Sequence, residues 1–232
     1  MTLVSRRTIV LASGLLVPAL ALSGTGRAMA SDTPGAPPAP DARTPLVGPK
    51  LEELLKEVAR ARQATRSFAG PFTQTRKMGL MKAQIVSQGR VTLVVPDRLR
   101  WELLPPDEVI YWITPEGLAY RNRSSQGAVR STDARTMAAG LEDLRAMLGG
   151  DLSVLRKRYD MKAFANGDDV ELEATALPSA EARGLKAIRF GIGKDRVRPT
   201  FTRLVERNGD TSDIRFGELR TNVPVDPNTM HL

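Results

Sequence analysis

From Arg66 onward the apolar residues of this chain change their repeat from helical to two, and that switch limits what the chain can build. Upstream, Leu51, Leu54, Leu55 and Val58 recur at i, i+3, i+4 and i+7, while Glu52, Glu53, Lys56 and Glu57 fill the other faces. That is the stripe of an amphipathic helix, and it needs a surface to pack on. Downstream, Val91, Leu93 and Val95 alternate with Arg90 and Thr92, and Leu99, Trp101 and Leu103 alternate with Arg98, Arg100 and Glu102. Successive strand side chains point to opposite faces, so these runs predict half-buried antiparallel strands. Pro96-Asp97 and Pro105-Pro106-Asp107 punctuate them, and Thr114-Pro115-Glu116-Gly117 marks a hairpin between 109–113 and 118–123. The whole reads as a meander.

A helical stretch then interrupts the strands. Met137, Leu141, Leu144, Met147 and Leu148 fall on one stripe, and Gly149-Gly150 stops it. Alternation resumes over 170–176, 186–192, 200–206 and 213–219, with Asn208-Gly209 as the signal for a tight turn. No internal repeat appears, so one domain over 50–232 is expected: mainly β with α, a single curved antiparallel sheet with two or three amphipathic helices.

Met1 to Ala30 has the form of an export signal. It carries Ser5-Arg6-Arg7, an apolar run from Thr8 to Leu22, and Ala28-Met29-Ala30 ahead of Ser31. The arginine pair points to the twin-arginine route. The run is too short, and too interrupted by Gly14 and Pro18, to span a bilayer. Ser31 to Pro49 is rich in Pro and Ala and reads as a disordered linker. The chain has no cysteine, which removes disulfides, a thiolate nucleophile and the lipid-modified cysteine of a lipoprotein. Its 34 bases against 26 acids fall to 31 against 26 once Arg6, Arg7 and Arg27 leave with the signal, a net +5. So mild an excess, scattered among acids and poor in aromatics, argues against nucleic acid as a partner.

Catalytic groups are scarce. His231 is the sole histidine and lies one residue from the terminus, so neither a Ser-His-Asp arrangement nor a histidine metal site is expected. Asp168-Asp169 sits beside a glycine and Glu142-Asp143 on a polar helix face; both read as solvated charge. Gly191-Ile192-Gly193-Lys194 lacks the hydroxyl residue and the following helix of a phosphate loop. No enzyme activity and no cofactor are expected. What remains is apolar: a sheet whose inner face is filled by its helices as plain core, or a sheet that keeps a cavity with the inserted helix as a movable lid.

Specific residues bear on that choice. After the first helix come Ser67-Phe68 and Phe72-Thr73-Gln74-Thr75-Arg76, then Ser87-Gln88-Gly89. Pro96-Asp97-Arg98-Leu99-Arg100-Trp101-Glu102 and Ile113-Thr114-Pro115-Glu116-Gly117 follow. Near the end stand Asp210 to Phe216 and Thr221-Asn222-Val223-Pro224-Val225-Asp226. In this order they resemble the periplasmic lipoprotein carrier family (LolA), over roughly Leu51 to Thr229. The resemblance implies an incomplete β-barrel of about eleven strands, its concave face covered by amphipathic helices around an acyl-accepting cavity. It also implies a monomeric, non-spanning periplasmic protein that shuttles acylated lipoprotein or lipid from an inner-membrane release complex to an outer-membrane acceptor. On that basis Phe72, Val91, Leu93, Leu99, Trp101, Leu103, Tyr111 and Ile113 are assigned to the cavity or its rim. Met137, Leu141, Leu144, Met147 and Leu148 are assigned to the lid.

Two departures stand out. Val95 occupies the place where the family's members carry an arginine that bonds the lid shut, and the chain ends at Leu232 soon after the closing strand. The first removes the expected lock; the second removes the extension on which avoidance of membrane retention depends. The related outer-membrane acceptor family (LolB) needs the missing cysteine. A non-transporting sensor or adaptor on the same fold, its cavity filled, is the alternative.

Overall fold

The computed structural model describes residues 44–79, 83–128, 143–149, 152–178 and 185–232. The signal segment, the linker as far as residue 43 and the lid positions Met137 and Leu141 lie outside those residues. Helix α1 (Pro49–Arg62) opens with proline at its first turn, where the missing N–H costs nothing. It buries Leu51, Leu54, Val58 and also Arg62, so its inward stripe runs one step beyond the apolar pattern. Just upstream, Leu46 exchanges both backbone hydrogen bonds with Ala163.

The strands are β1 (Ser67–Met78), β2 (Ala83–Val94), β3 (Arg98–Leu103), β4 (Val109–Thr114), β5 (Gly117–Arg121) and β6 (Gln126–Ala128). Helix α2 (143–149) and helix α3 (Leu152–Arg156) follow. Then come β7 (Tyr159–Asn166), β8 (Asp169–Ala176), β9 (Leu185–Ile192), β10 (Pro199–Glu206), β11 (Thr211–Phe216) and β12 (Arg220–Thr221). All belong to one 12-stranded antiparallel sheet of order β6-β5-β4-β3-β2-β1-β11-β10-β9-β8-β7, with β12 beside β1. Two meanders meet where β1 pairs with β11. The outer strands β6 and β7 do not pair with each other, so the barrel is incomplete. The pattern reading missed β6, β7 and β12.

Pro71 lies inside the central strand β1, a place where a missing N–H normally breaks a ladder. Here the neighbouring strand yields at that level. β11 pairs as far as Phe72↔Phe216, the chain bulges through 217–219, and β12 resumes at Ala69↔Arg220. The Pro71 carbonyl accepts from the Gly217 N–H at 2.9 Å, so only the group that proline lacks goes unused.

The tail after β11 is not a bare end. Asn222 adopts φ 56°, donates its backbone N–H to the Ser67 carbonyl at 2.9 Å, accepts from the Arg66 N–H on Oδ1 at 2.7 Å and donates Nδ2 to the Ala64 carbonyl at 3.2 Å. It therefore clamps the connection between α1 and β1, in a left-handed conformation that asparagine tolerates better than most residues. We expect Asn222→Ala to destabilise the fold by about 2–3 kcal/mol, and Asn222→Gly, which loses the side-chain bonds without the strain, by about half as much. Thermal melts of the two variants check this. Equal losses would remove the backbone part of the account.

Further on, Trp112 on the outer face of β4 donates Nε1 to the Thr229 carbonyl at 2.9 Å. Arg121 sits over its ring at 5.2 Å, and Met230 is buried. The last residues thus dock on the convex side of the sheet. The tail resembling the family's forms a short strand, a 3₁₀ turn at Pro227–Thr229 and a buried methionine.

Candidate functional site

Register decides which side chains share a face. Phe72 opposes Gly89, Gly89 opposes Leu103 and Leu103 opposes Val109. With a side-chain period of two, Val91 and Leu93 follow Gly89, Trp101 and Leu99 share the face of Leu103, and Tyr111 and Ile113 share that of Val109. All eight residues assigned to cavity or rim therefore line one face. The same face continues through Phe216, Ile214, Phe190, Ile188, Leu172 and Ala163 on the other arm.

Helices α1, α2 and α3 close over this concave side. Leu51, Leu54 and Val58 of α1, Leu144, Met147 and Leu148 of α2, and Leu152 and Leu155 of α3 join one core cluster with the strand residues. Of the assigned positions, Leu93 and Leu99 are 0% exposed and Phe72, Val91, Trp101 and Ile113 at most 3%, while Leu103 and Tyr111 are only partly buried. Leu118 and Leu204 are partly buried as well. Cover is thus complete toward the β2–β3 turn and thinner toward the β1–β2 hairpin, where the inner face turns polar. Gln74, Arg76 and Ser212 stand there by register. Arg76 pairs with Glu206 at 3.4 Å and Asp210 at 3.7 Å. Burial pushes the Tyr111 hydroxyl up, and the nearby Arg76 charge opposes that shift.

An aromatic series runs along the apolar part. Phe72 stacks on Trp101 with centroids 3.8 Å apart, and Trp101 meets Phe216 edge-on at 6.4 Å. Gly89 is the notch that admits the first ring: a Cβ there would overlap Phe72 and press within 2.6 Å of the Glu102 carbonyl. That is the physical reason for the glycine of Ser87-Gln88-Gly89.

The described part of the inserted helix, 143–149, is held at two points. One of these is Asp143, the first described residue of the helix, which reads from sequence as solvated and is 2% exposed. It accepts from the Arg158 guanidinium and the Tyr159 hydroxyl; a charge so buried survives only because both partners reach it. At the other point Arg62 of α1, itself 5% exposed, donates Nη1 to the Met147 carbonyl at 2.7 Å and Nε to the Val197 carbonyl at 3.0 Å. Desolvation lowers the pKa of Arg62 to about 10, and the Asp195 carboxylate only partly restores it. Its Nη2 is buried without a hydrogen-bond partner. Gly149 lets the helix end come against the Pro96 carbonyl, 2.8 Å from where a Cβ would lie. Val95 therefore does not leave the helix unbound, since an arginine on α1 bonds it instead. Sequence reasoning missed Arg62, although its place four residues after Val58 put it on the apolar stripe.

Among the described residues no group of three histidine, cysteine or acidic side chains is placed to hold a metal ion. No helix among them is long and apolar enough to cross a membrane.

Comparison with known proteins adds the lineage. No curated protein matches the chain in sequence. Among solved structures it is similar to a LolA superfamily protein from Nitrosomonas europaea, at 10% identity and TM-score 0.44 over 78% of this chain and 97% of the other. It is also similar to the MucA/MucB complex of Pseudomonas aeruginosa, at 16% and 0.46 over 78% and 60%, and to the lipoprotein LppX of Mycobacterium tuberculosis, at 12% and 0.42 over 75% and 98%. The family described as outer membrane lipoprotein carrier protein LolA matches residues 63–231, from the end of α1 to the docked tail, and the chain belongs to that family.

Proposed function

We propose that this chain is an exported periplasmic carrier, released from a twin-arginine signal near Ala30, that takes the acyl chains of a lipoprotein or another acylated lipid against its concave face. In this reading it shuttles them from an inner-membrane release complex to an outer-membrane acceptor. The observation that carries the reading is the pairing of one continuous apolar face with helix α2, whose described residues are pinned over it by polar bonds through Asp143 and Met147.

The energetics suit reversible loading. Burying Leu144, Met147 and Leu148 contributes roughly 2 kcal/mol each, and each acyl methylene about 0.8 kcal/mol. About eight methylenes therefore match the apolar burial that α2 gives up on lifting, and its polar pins raise the required length further. A long acyl chain thus displaces it and a short one does not. Cargo and helix compete for one surface, and release follows when an acceptor offers the chain more burial than the carrier does.

The close packing of Leu93, Leu99 and Ile188, all fully buried, favours a second reading, a sensor or adaptor with a permanently filled interior. Mild extraction of the exported chain from membranes, followed by mass spectrometry of co-purified lipid, separates the two. A stoichiometric acylated species is the expected result; a lipid-free protein with an unexchanging core would sink the carrier reading.

A further inference from the structure

The sheet splays at one end of β10. Phe201 pairs with Arg215, but the next two steps, Thr200 toward Phe216 and Pro199 toward Gly217, are not made. β11 runs on through its bulge toward β1, whereas β10 turns back through 193–198 toward β9. The divergence leaves a cleft of about 330 Å³, at the lower end of the range of small-ligand sites. Its apolar part is Pro199, Phe216 and Leu219. Phe216 is the outer member of the aromatic series that reaches Trp101 and Phe72, so a chain seated in the cleft adjoins the concave face.

The polar lining is of mixed sign. Asp195 and Arg198 satisfy each other at 2.6 Å, and Asp195 also accepts from the backbone of Val197 and Arg198. Lys194, Asp169 and Glu218 line the same cleft and make no ion pair among the described residues. One open cation beside two open acids disfavours a purely anionic head and suits a group carrying both signs.

We propose that this cleft binds the head of a zwitterionic single-chain amphiphile, its phosphate on Lys194, its ammonium between Asp169 and Glu218, and its first methylenes on Phe216 and Leu219. The proposal rests on the carrier reading and adds to it a lateral head-group site outside the helical cover.

The test uses the exported chain and dodecylphosphocholine below its micelle-forming concentration, followed by calorimetry and backbone amide NMR. Shifts are expected at Gly193, Gly217 and Leu219, and dodecyl sulfate and dodecyltrimethylammonium should each bind about tenfold more weakly. Lys194→Glu should cost about tenfold for the zwitterion. A Cβ on Gly193 meets nothing nearer than 3.5 Å, so Gly193→Phe should fold with an unchanged melt and lose the probe. Unaltered affinity in both variants, with shifts confined to β3 and β4, would place the probe under α2 and overturn the cleft while leaving the carrier reading intact. Absence of any binding would also overturn the cleft. Failure of the carrier reading shows separately, as a preparation without acylated lipid.

Discussion

Arg62→Met should loosen α2 far more than it weakens the sheet. The substitution deletes two bonds from a charged donor to the Met147 and Val197 carbonyls, each worth about 1.5–3 kcal/mol. It also relieves a buried cation whose pKa burial has lowered to about 10, a desolvation cost of about 3 kcal/mol. Global stability should therefore fall by only about 1–2 kcal/mol. The local balance is different, because the methionine keeps the packing but leaves the Met147 carbonyl without its donor. Opening of α2 should become easier by about 2 kcal/mol, which is roughly thirtyfold faster amide exchange over 144–149. Exchange at Leu172 and Phe190 should follow the small global change alone. Uptake of an acyl probe should quicken with α2 opening if the helix is the lid. Hydrogen exchange that rises equally in β8, β9 and α2 would refute a local latch.

Phe72→Ala should be the most destabilising single change on the concave face. The ring is 2% exposed, stacks on Trp101 and lies in the notch of Gly89. Its removal forfeits both burial and stacking, and β1 and β2 cannot collapse into the space while held by a twelve-residue register. The expected loss is about 3–5 kcal/mol, or a melting point lower by about 10 °C for a domain of this size. Phe72→Leu should cost less than half as much. A loss below about 1 kcal/mol for the alanine variant would mean that the ring is not packed as described, and would make Phe72 a better candidate for a freely exchanging cargo contact.

Parity explains why so much of the inner face was legible. Once Leu99, Trp101 and Leu103 alternate with charged residues, only one assignment of faces buries them, and Val91, Leu93, Tyr111 and Ile113 then follow through the register. β7 was missed for a physical reason. Its inward set is Tyr159, Met161 and the small Ala163, a faint signal, and no glycine or proline separates it from α3. The polar pins of α2 were less accessible still. Asp143 finds its partners fifteen and sixteen residues away, and Arg62 finds its carbonyl eighty-five residues away. No local pattern names such partners, and only Arg62, by its place on the apolar stripe of α1, carried a local hint that it was not solvated charge. The resemblance predicted a missing lock because it compared one position, Val95, whereas the fold can bring an arginine to the same helix from another element.

The two tryptophans stand on adjoining strands with opposite outlooks, Trp101 facing Tyr111 inside and Trp112 turned outward beneath Thr229. The protein thereby carries a pair of independent optical reporters. A brominated or spin-labelled acyl chain entering the interior should dim the emission of the first and spare the second, whereas peeling away the C-terminal residues should red-shift the second and leave the emission of the first unchanged. Loading and tail release can thus be timed separately in one cuvette, with no foreign dye attached.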